Sequence, residues 1–90
     1  MNDLTGFQRD LLYVIVGADQ PSGQEVKEEV EMYYSSEINH GRLYPNLDTL
    51  VNKELVEKGA IDRRTNYYAI AEDGEEAIVE RREWVEQYVD

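Results

Sequence analysis

The sequence contains no cysteine and only one histidine, His40, among its 90 residues. Without thiols the chain can form neither disulfides nor thiolate metal sites, and a single imidazole cannot make a histidine cluster. The sequence also offers no Ser-His-Asp, Cys-His, paired-carboxylate or phosphate-loop arrangement. We therefore predict that the protein is not an enzyme and that it has no metal or other cofactor.

Long hydrophobic runs are also missing. The longest, from Leu11 to Val16, is far too short to cross a bilayer, and the N-terminus lacks the basic and apolar regions of a secretion signal. We therefore expect a cytoplasmic protein without a membrane partner. A chain of this length makes one small domain that is marginal as a monomer, so a second copy would add stability.

Basic residues are few, because nine Lys and Arg stand against 20 Asp and Glu, for a formal net charge of −11. DNA is bound through Lys and Arg that displace counterions, so this total argues against a nucleic-acid partner. The distribution argues the other way. Residues 39–71 hold five basic and four acidic residues, a net +1, whereas the other 57 residues hold four basic and 16 acidic residues, a net −12. This asymmetry indicates one surface that can approach DNA.

Two hypotheses explain the acidic remainder. In a halophilic host, acids keep the surface hydrated in molar salt, where a Debye length of about 3 Å hides them from DNA phosphates. In an ordinary host, an acidic surface serves to bind other proteins. Composition is compatible with both.

Capping signals and apolar periodicity predict three successive helices. Thr5 with Gln8, and Ser22 with Glu25, have the capping-box spacing at the starts of the first two, and Gly17 is expected to end the first. The core side of the second helix is predicted to carry Val26, Val30, Tyr33 and Tyr34.

The third helix is predicted within residues 39–56, with Asn39 as its N-cap. Its apolar residues recur at i, i+4, i+7 and i+8 and form one stripe made of Leu43, Leu47, Leu50 and Val51. The opposite face has only one acid and consists of Arg42, Pro45, Asp48, Thr49, Asn52 and Lys53. Because the turn between the second and third helices is short, with Ile38 expected in the core, the pair has the spacing of a helix-turn-helix.

Two strand-like runs follow, at about residues 56–62 and 66–71, joined by the basic turn R-R-T-N. A helix followed by a basic hairpin is typical of a winged helix. From Glu72 we predict a last helix of about 17 residues whose apolar side the three-helix core does not use. It favours pairing with a second copy through Ile78, Trp84, Val85, Tyr88 and Val89. The alternative is that this helix folds back across the first helix of its own chain.

These motifs resemble those of the PadR family. The segment L-Y-P-N-L-D-T-L-V-N-K-E-L-V-E, from Leu43 to Glu57, is similar to that family's third helix with its Leu-Tyr-Pro-x-Leu core. The run R-T-N-Y-Y-A-I, from Arg64 to Ile70, is similar to the family's wing and second strand, and Gly74 matches the glycine of its Thr-x-x-Gly helix start. Ala71 departs from the pattern, since the family usually has Thr there. The resemblance covers about residues 4–80.

The resemblance implies a transcriptional regulator, usually a repressor, that binds a pseudo-palindromic operator in double-stranded DNA as a homodimer. The expected fold is α+β but mostly α: a winged helix-turn-helix with a three-helix core, a two-stranded β-hairpin wing and a C-terminal dimerisation helix. Residues 1–71 would form the DNA-binding domain and residues 72–90 the dimerisation helix, without a larger effector domain. The sequence does not identify a small-molecule or ion effector. The alternative function is a winged-helix module that binds a basic protein partner.

Candidate DNA contacts lie at the N-terminal end of the third helix, which helix-turn-helix proteins point into the major groove. Arg42 can bind guanine O6 and N7 with two hydrogen bonds. His40 is equally suited to a phosphate, and Asn39 is equally explained as an N-cap alone. The resemblance implies a phosphate contact for the Tyr44 hydroxyl, and two adjacent arginines have no structural use in a turn. The full predicted set is Asn39, His40, Arg42, Tyr44, Asn46, Thr49, Lys53, Arg63, Arg64, Thr65 and Asn66.

Overall fold

The computed structural model describes residues 1–89, which form four helices and a two-stranded sheet. The elements are α1 (Gly6–Ala18), α2 (Gly23–Tyr34), α3 (His40–Asn52), β1 (Val56–Ala60), β2 (Asn66–Ile70) and α4 (Glu72–Glu86). This is the mostly helical α+β fold that the sequence predicts, with the third and fourth helices and both strands ending earlier than predicted. None of the helices in residues 1–89 is long and apolar enough to span a membrane.

Capping boxes begin α1 and α2, as predicted. The Thr5 hydroxyl accepts a hydrogen bond from the Gln8 backbone N–H at 3.1 Å, and Gln8 Oε1 accepts one from the Thr5 N–H at 3.1 Å. Ser22 and Glu25 repeat this exchange at 3.1 and 3.0 Å. Each box satisfies two backbone donors at a helix start, and losing the capping side chain typically costs about 1 kcal/mol.

The core lies between α1, α2, α3 and the inner side of the hairpin. Its fully buried side chains include Leu11, Leu12, Ile15, Val26, Val30, Leu43, Leu47, Leu50 and Tyr68. Ile38, in the turn between α2 and α3, is 2% exposed and fills the core as predicted. This cluster fixes the orientation of α3 because the whole leucine stripe of that helix is inside it.

Tyr33 does not face the core, so that prediction is wrong. Its side chain is 79% exposed, whereas the neighbouring Tyr34 is half-buried. α1 covers the last turn of α2 from the Tyr34 side only. There the Tyr34 ring meets the Phe7 ring edge-on at 6.0 Å, and its hydroxyl donates to Asp10 at 2.6 Å.

The hairpin is tied to the start of α2. β1 and β2 pair antiparallel, from Val56 opposite Ile70 to Ala60 opposite Asn66. On the other side of β2, the Tyr68 N–H donates to the Pro21 carbonyl at 2.8 Å, and Ser22 forms a bridge with Tyr67. β2 therefore has a partner on each side, which fixes the wing relative to α2.

α4 begins directly after β2 and packs its first turns on its own chain. Ala71 provides no side-chain cap, but Glu72, Asp73 and Glu75 place negative charge at the positive end of the helix dipole. A Cβ on Gly74 would overlap the backbone oxygen of Leu55. Ile78 is 8% exposed and belongs to the core of its own chain, so it leaves almost no surface for the dimer contact predicted for it.

Candidate nucleic-acid interface

Two side chains hold the N-terminal end of α3, one directly before that helix and one in α2. Asn39 is the N-cap, and its Oδ1 accepts the Arg42 backbone N–H at 2.8 Å. Glu31, in α2, accepts a hydrogen bond at 2.8 Å from the backbone N–H of Ile38, which lies in the turn before α3. The Glu31 carboxylate also pairs with the Lys27 ammonium at 2.9 Å. These two interactions, in that order, lower the pKa of Glu31. The cap role weighed for Asn39 is therefore present, and it occupies the side-chain oxygen.

Arg42 is exposed but lies against α1. Its guanidinium carbon is 4.0 Å from the centroid of the Phe7 ring and 5.9 Å from that of Tyr34. Burial, followed by the hydrogen bond to Asp10, raises the pKa of Tyr34 to about 12, so that phenol stays neutral beside the cation. A cation–π contact at an exposed site is worth about 0.5–1 kcal/mol, which is a weak restraint on the guanidinium.

His40 and Tyr44 form a pair on successive turns of α3. Their rings meet edge-on, with centroids 5.5 Å apart. His40 is exposed, whereas Tyr44 is half-buried with its ring against the first residue of α2. A Cβ on Gly23 would lie only 2.8 Å from the Tyr44 hydroxyl oxygen. The ring thus packs on α2, and the hydroxyl lies at the start of that helix.

Asn46 joins α3 to α1. Its Oδ1 accepts from Gln8 Nε2 at 2.9 Å, and its Nδ2 donates to the Arg42 carbonyl at 2.7 Å. Both ends of the amide are engaged within the chain, and one Nδ2 hydrogen is left for the DNA contact predicted for Asn46. Gln8 is only 9% exposed and also serves the capping box of α1. The Gln8–Asn46 bond therefore fixes how α3 sits on the core.

The remaining predicted residues of α3 also have partners inside the protein. The Thr49 hydroxyl donates to the Pro45 carbonyl at 3.0 Å. The Lys53 ammonium pairs with Asp3 at 3.0 Å, and this hydrogen bond is the main reason that the pKa of Asp3 is lowered. Lys58, on β1, lies 3.7 Å from Asp48. Acids thus partly offset the positive charge of both lysines.

The hairpin tip is organised by Asp62. Its Oδ1 accepts the backbone N–H groups of Arg64 and Thr65, each at 2.9 Å, and these donors lower its pKa. The Ile61 N–H closes the turn on the Thr65 carbonyl at 2.8 Å. Arg63 and Arg64 are exposed, whereas Thr65 and Asn66 are half-buried. The turn therefore presents both guanidinium groups to solvent at the tip of the wing.

Taken together, exposed cations occur at the start of α3 and at the wing tip, on a fold with a helix-turn-helix followed by a hairpin. A model of the PadR-like family of transcriptional regulators matches residues 11–80. The chain belongs to this family. Membership confirms that the protein is a transcriptional regulator, as the resemblance implies, and not an enzyme, as the lack of a catalytic arrangement in the sequence predicts.

Solved structures agree with this assignment. The PadR-like chain is 51% identical to H. salinarum RosR over 97% of its length and 79% of that chain, with a TM-score of 0.91. The complex structure named hsRosR-SG gives 49% identity over 99% of this chain and 79% of that one, with a TM-score of 0.94. F93 from STIV, described as a winged-helix DNA-binding protein, is 17% identical over 92% of this chain and 89% of its own, with a TM-score of 0.70, and shows the shared fold. No curated protein sequence matches the chain.

The C-terminal part of this regulator exposes the aromatic residues predicted for dimerisation. Trp84 is 51% exposed and Tyr88 is 70% exposed, and their ring centroids are 5.2 Å apart. Val89 is exposed and Val85 is half-buried, while the Arg81 guanidinium lies 5.0 Å from the Trp84 ring. α4 also contacts α1 of the same chain, as the fold-back alternative predicts. Trp84, Val85, Tyr88 and Val89 nevertheless keep apolar surface for a partner.

Three side chains hold α3 or the wing tip in place through contacts that were not predicted. Asp62 had a signal, because Asp commonly bonds to backbone N–H groups two and three residues on in turns. Glu31 had no such signal, because its contact with the Ile38 N–H spans seven residues across a turn. Gln8 was predicted only as a cap, since nothing local points to its partner Asn46, 38 residues away.

Proposed function

We propose that this PadR-like regulator binds double-stranded DNA as a homodimer through α3 and the wing, and that it acts as a repressor at a pseudo-palindromic operator. One observation carries the proposal. The exposed cations Arg42, Arg63 and Arg64 lie at the start of α3 and at the wing tip, within a segment of net charge +1 on a chain of −11. Helix-turn-helix proteins contact base edges with the N-terminal residues of this helix. Such a repressor would act on chromosomal DNA in the cytoplasm.

Within the proposed complex, Arg42 reads a base. Its stacking on Phe7 is worth about 0.5–1 kcal/mol, whereas a bidentate contact with guanine contributes about 1–3 kcal/mol of discrimination. The guanidinium therefore gains by leaving Phe7 for a guanine. Arg63 and Arg64 contact the DNA backbone or the minor groove, while His40, Lys53 and the Tyr44 hydroxyl contact phosphates. Asn46 positions α3, because its side chain bonds to Gln8 of α1, whereas the Thr49 hydroxyl bonds within α3 itself.

The homodimer is supported by the exposed apolar side chains after the middle of α4. Trp84, Val85, Tyr88 and Val89 form this surface, called here the C-terminal patch. Two copies related by a twofold axis would present two α3 helices to successive major grooves, which matches a pseudo-palindromic operator. The competing function is a module for a basic protein partner. It is favoured by the acidity of α4, which has seven acids and two arginines between Glu72 and Glu86.

A pair of arginine variants tests the DNA function. An operator is first selected from random duplexes by the wild-type protein, and its affinity is then compared with that of a scrambled duplex. Arg42→Ala is expected to lose about 1–3 kcal/mol on the operator and to relax the base preference at one position in each half-site. Arg82→Ala is the matched control, because Arg82 is also exposed but lies on α4.

The outcomes separate the roles. Equal weakening of Arg42→Ala on every sequence would make Arg42 a phosphate contact and leave DNA binding intact. If the wild-type protein selects no duplex at all, the DNA function fails and the protein-interaction function takes its place.

A further inference from the structure

Arg42 is held on an aromatic ring in the free protein, although its side chain is exposed. The guanidinium carbon lies 4.0 Å from the centroid of the Phe7 ring and 5.9 Å from that of Tyr34. Among residues 1–89, no acidic side chain forms an ion pair with Arg42. Attraction between the cation and the negative face of the Phe7 ring is therefore the main contact that positions this side chain.

The Phe7 ring cannot follow the guanidinium away from the protein. Phe7 is 7% exposed and belongs to the hydrophobic core. The Tyr34 ring meets it edge-on, with centroids 6.0 Å apart, and the Tyr34 hydroxyl donates at 2.6 Å to Asp10, one turn after Phe7 in α1. A guanine edge in the major groove would lie beyond the surface of α3, whereas Phe7 lies in the core. One guanidinium therefore cannot contact both rings at once.

The backbone of Arg42 is fixed by bonds that do not involve Phe7. Its N–H donates to Asn39 Oδ1 at 2.8 Å, and its carbonyl accepts from Asn46 Nδ2 at 2.7 Å. The side chain can still move, by rotation about its own bonds between staggered rotamers. Replacing Phe7 should therefore release the guanidinium and leave the start of α3 in place.

We propose that Phe7 is an intramolecular competitor of DNA for Arg42, which lowers operator affinity by holding the base-reading cation on the protein. This inference rests on the proposed function and adds to it a residue that sets affinity without touching DNA. A cation–π contact of the usual strength at an exposed site makes the held state about two to five times as populated as the released state. Because only the released state can bind guanine, the apparent Kd is raised about three- to sixfold.

Substitutions of Phe7 test the competition. Phe7→Leu removes the ring and keeps a buried apolar side chain, and Phe7→Met does the same with a longer side chain that fills more of the space. Each is made in the wild type and in the Arg42→Ala background, which gives a double-mutant cycle. Affinity is measured for the operator that the wild-type protein selects, after thermal unfolding has confirmed that each variant is folded at the assay temperature.

We expect Phe7→Leu and Phe7→Met to tighten operator binding about three- to sixfold, because Arg42 no longer has to leave the ring. In the Arg42→Ala background, the same substitutions should leave affinity unchanged, since no guanidinium remains to be released. Tightening that persists without Arg42 would mean that Phe7 acts through the general structure of the interface, and the proposal would be overturned. The absence of tightening in both variants would overturn it as well.

NMR follows the exchange directly. In the free wild type, the δ protons of Arg42 should be shifted upfield by the Phe7 ring current, and this shift should disappear in Phe7→Leu and when the operator is added to the wild type. An upfield shift that persists in the complex would show that Arg42 binds DNA without leaving Phe7, which contradicts the competition. If the wild type selects no duplex, the proposed function fails and this inference fails with it. If it binds an operator that Phe7→Leu and Phe7→Met do not bind more tightly, only the inference fails.

Discussion

α3 and α4 are helices of similar length that present opposite surfaces. α3 has one arginine and one aspartate, and its three core leucines are fully buried. α4 has a net charge of −5, from seven acids and two arginines, and leaves Val79 and Trp84 half-exposed. One helix thus combines a closed apolar stripe with a nearly neutral polar face. The other combines an acidic face, which repels DNA, with apolar surface that remains open.

Polar side chains on an outward helix face can already be bonded within their own chain. On α3, Asn39, Asn46 and Thr49 bond to the chain itself, and Arg42 stacks on Phe7. The bonds of Asn39, Asn46 and Thr49 restrict these three side chains in the free protein, so fewer of their rotamers are lost on binding. Arg42, in contrast, has to leave Phe7 to reach a base. On α4, Ile78 is buried in its own chain, whereas Val79 and Trp84 keep exposed apolar surface that the proposed second copy could cover.

We expect the largest effect on stability from a substitution that separates α4 from the core. Gly74→Ala would place a Cβ against the Leu55 carbonyl oxygen and 2.6 Å from Ile70 Cδ1. Because that oxygen is backbone and cannot rotate away, we expect the free energy of unfolding to fall by about 2–3 kcal/mol. Urea denaturation at fixed KCl concentration measures this.

Gly17→Ala provides the same substitution in an open place. Gly17 lies in the last turn of α1, and a Cβ there would meet nothing within 4 Å. The alanine should raise stability by up to about 1 kcal/mol, because it restricts the unfolded chain and favours the helix. Equal effects of the two substitutions would contradict the packing of α4 on Leu55.

The C-terminal patch is expected to hold the proposed dimer together. Trp84→Ala combined with Val85→Asp should convert the proposed dimer into a monomer. Burial of the exposed half of the Trp84 ring contributes roughly 2–3 kcal/mol per copy, and a carboxylate in the interface would lack a partner. Light scattering of the variant beside the wild type measures the mass in solution.

Tyr33→Ala is the control for this effect, since Tyr33 is also an exposed aromatic residue but lies on α2. It should leave the dimer intact. A dimer that survives the double substitution would locate the interface elsewhere, and a monomeric wild type would contradict the homodimer outright.

The sequence predicted the features whose causes are local. The capping boxes depend on residues three apart, and the leucine stripe of α3 depends on a period within one helix. Periodicity does not say which element covers which apolar residue, so Tyr33 was assigned to the core and Ile78 to a dimer. The Gln8–Asn46 bond needs the tertiary arrangement of α1 and α3, and no local pattern encodes it.

The smallest effect is expected from salt, which acts differently on the nearly neutral surface of α3 and on the acidic surface of α4. Folding and solubility should improve as KCl rises, because repulsion among the 20 acids is screened. DNA affinity should still fall with salt, since binding releases counterions from the duplex. The slope should be small, because few lysines and arginines reach phosphates and Lys53 and Lys58 lie beside acids.

Operator affinity from about 0.2 M to 2 M KCl, with the dimer followed in parallel, measures this slope. Asp3→Asn gives a matched comparison, because it removes the acid 3.0 Å from the Lys53 ammonium and leaves the side-chain size unchanged. If Lys53 contacts a phosphate, the substitution should strengthen binding at the low end of this range and steepen the slope by up to about one unit. A steep loss of affinity in the wild type, while the dimer stays folded, would rule out adaptation to molar salt without affecting the DNA-binding proposal. In that case the acids of α4 would have to be explained by a basic protein partner.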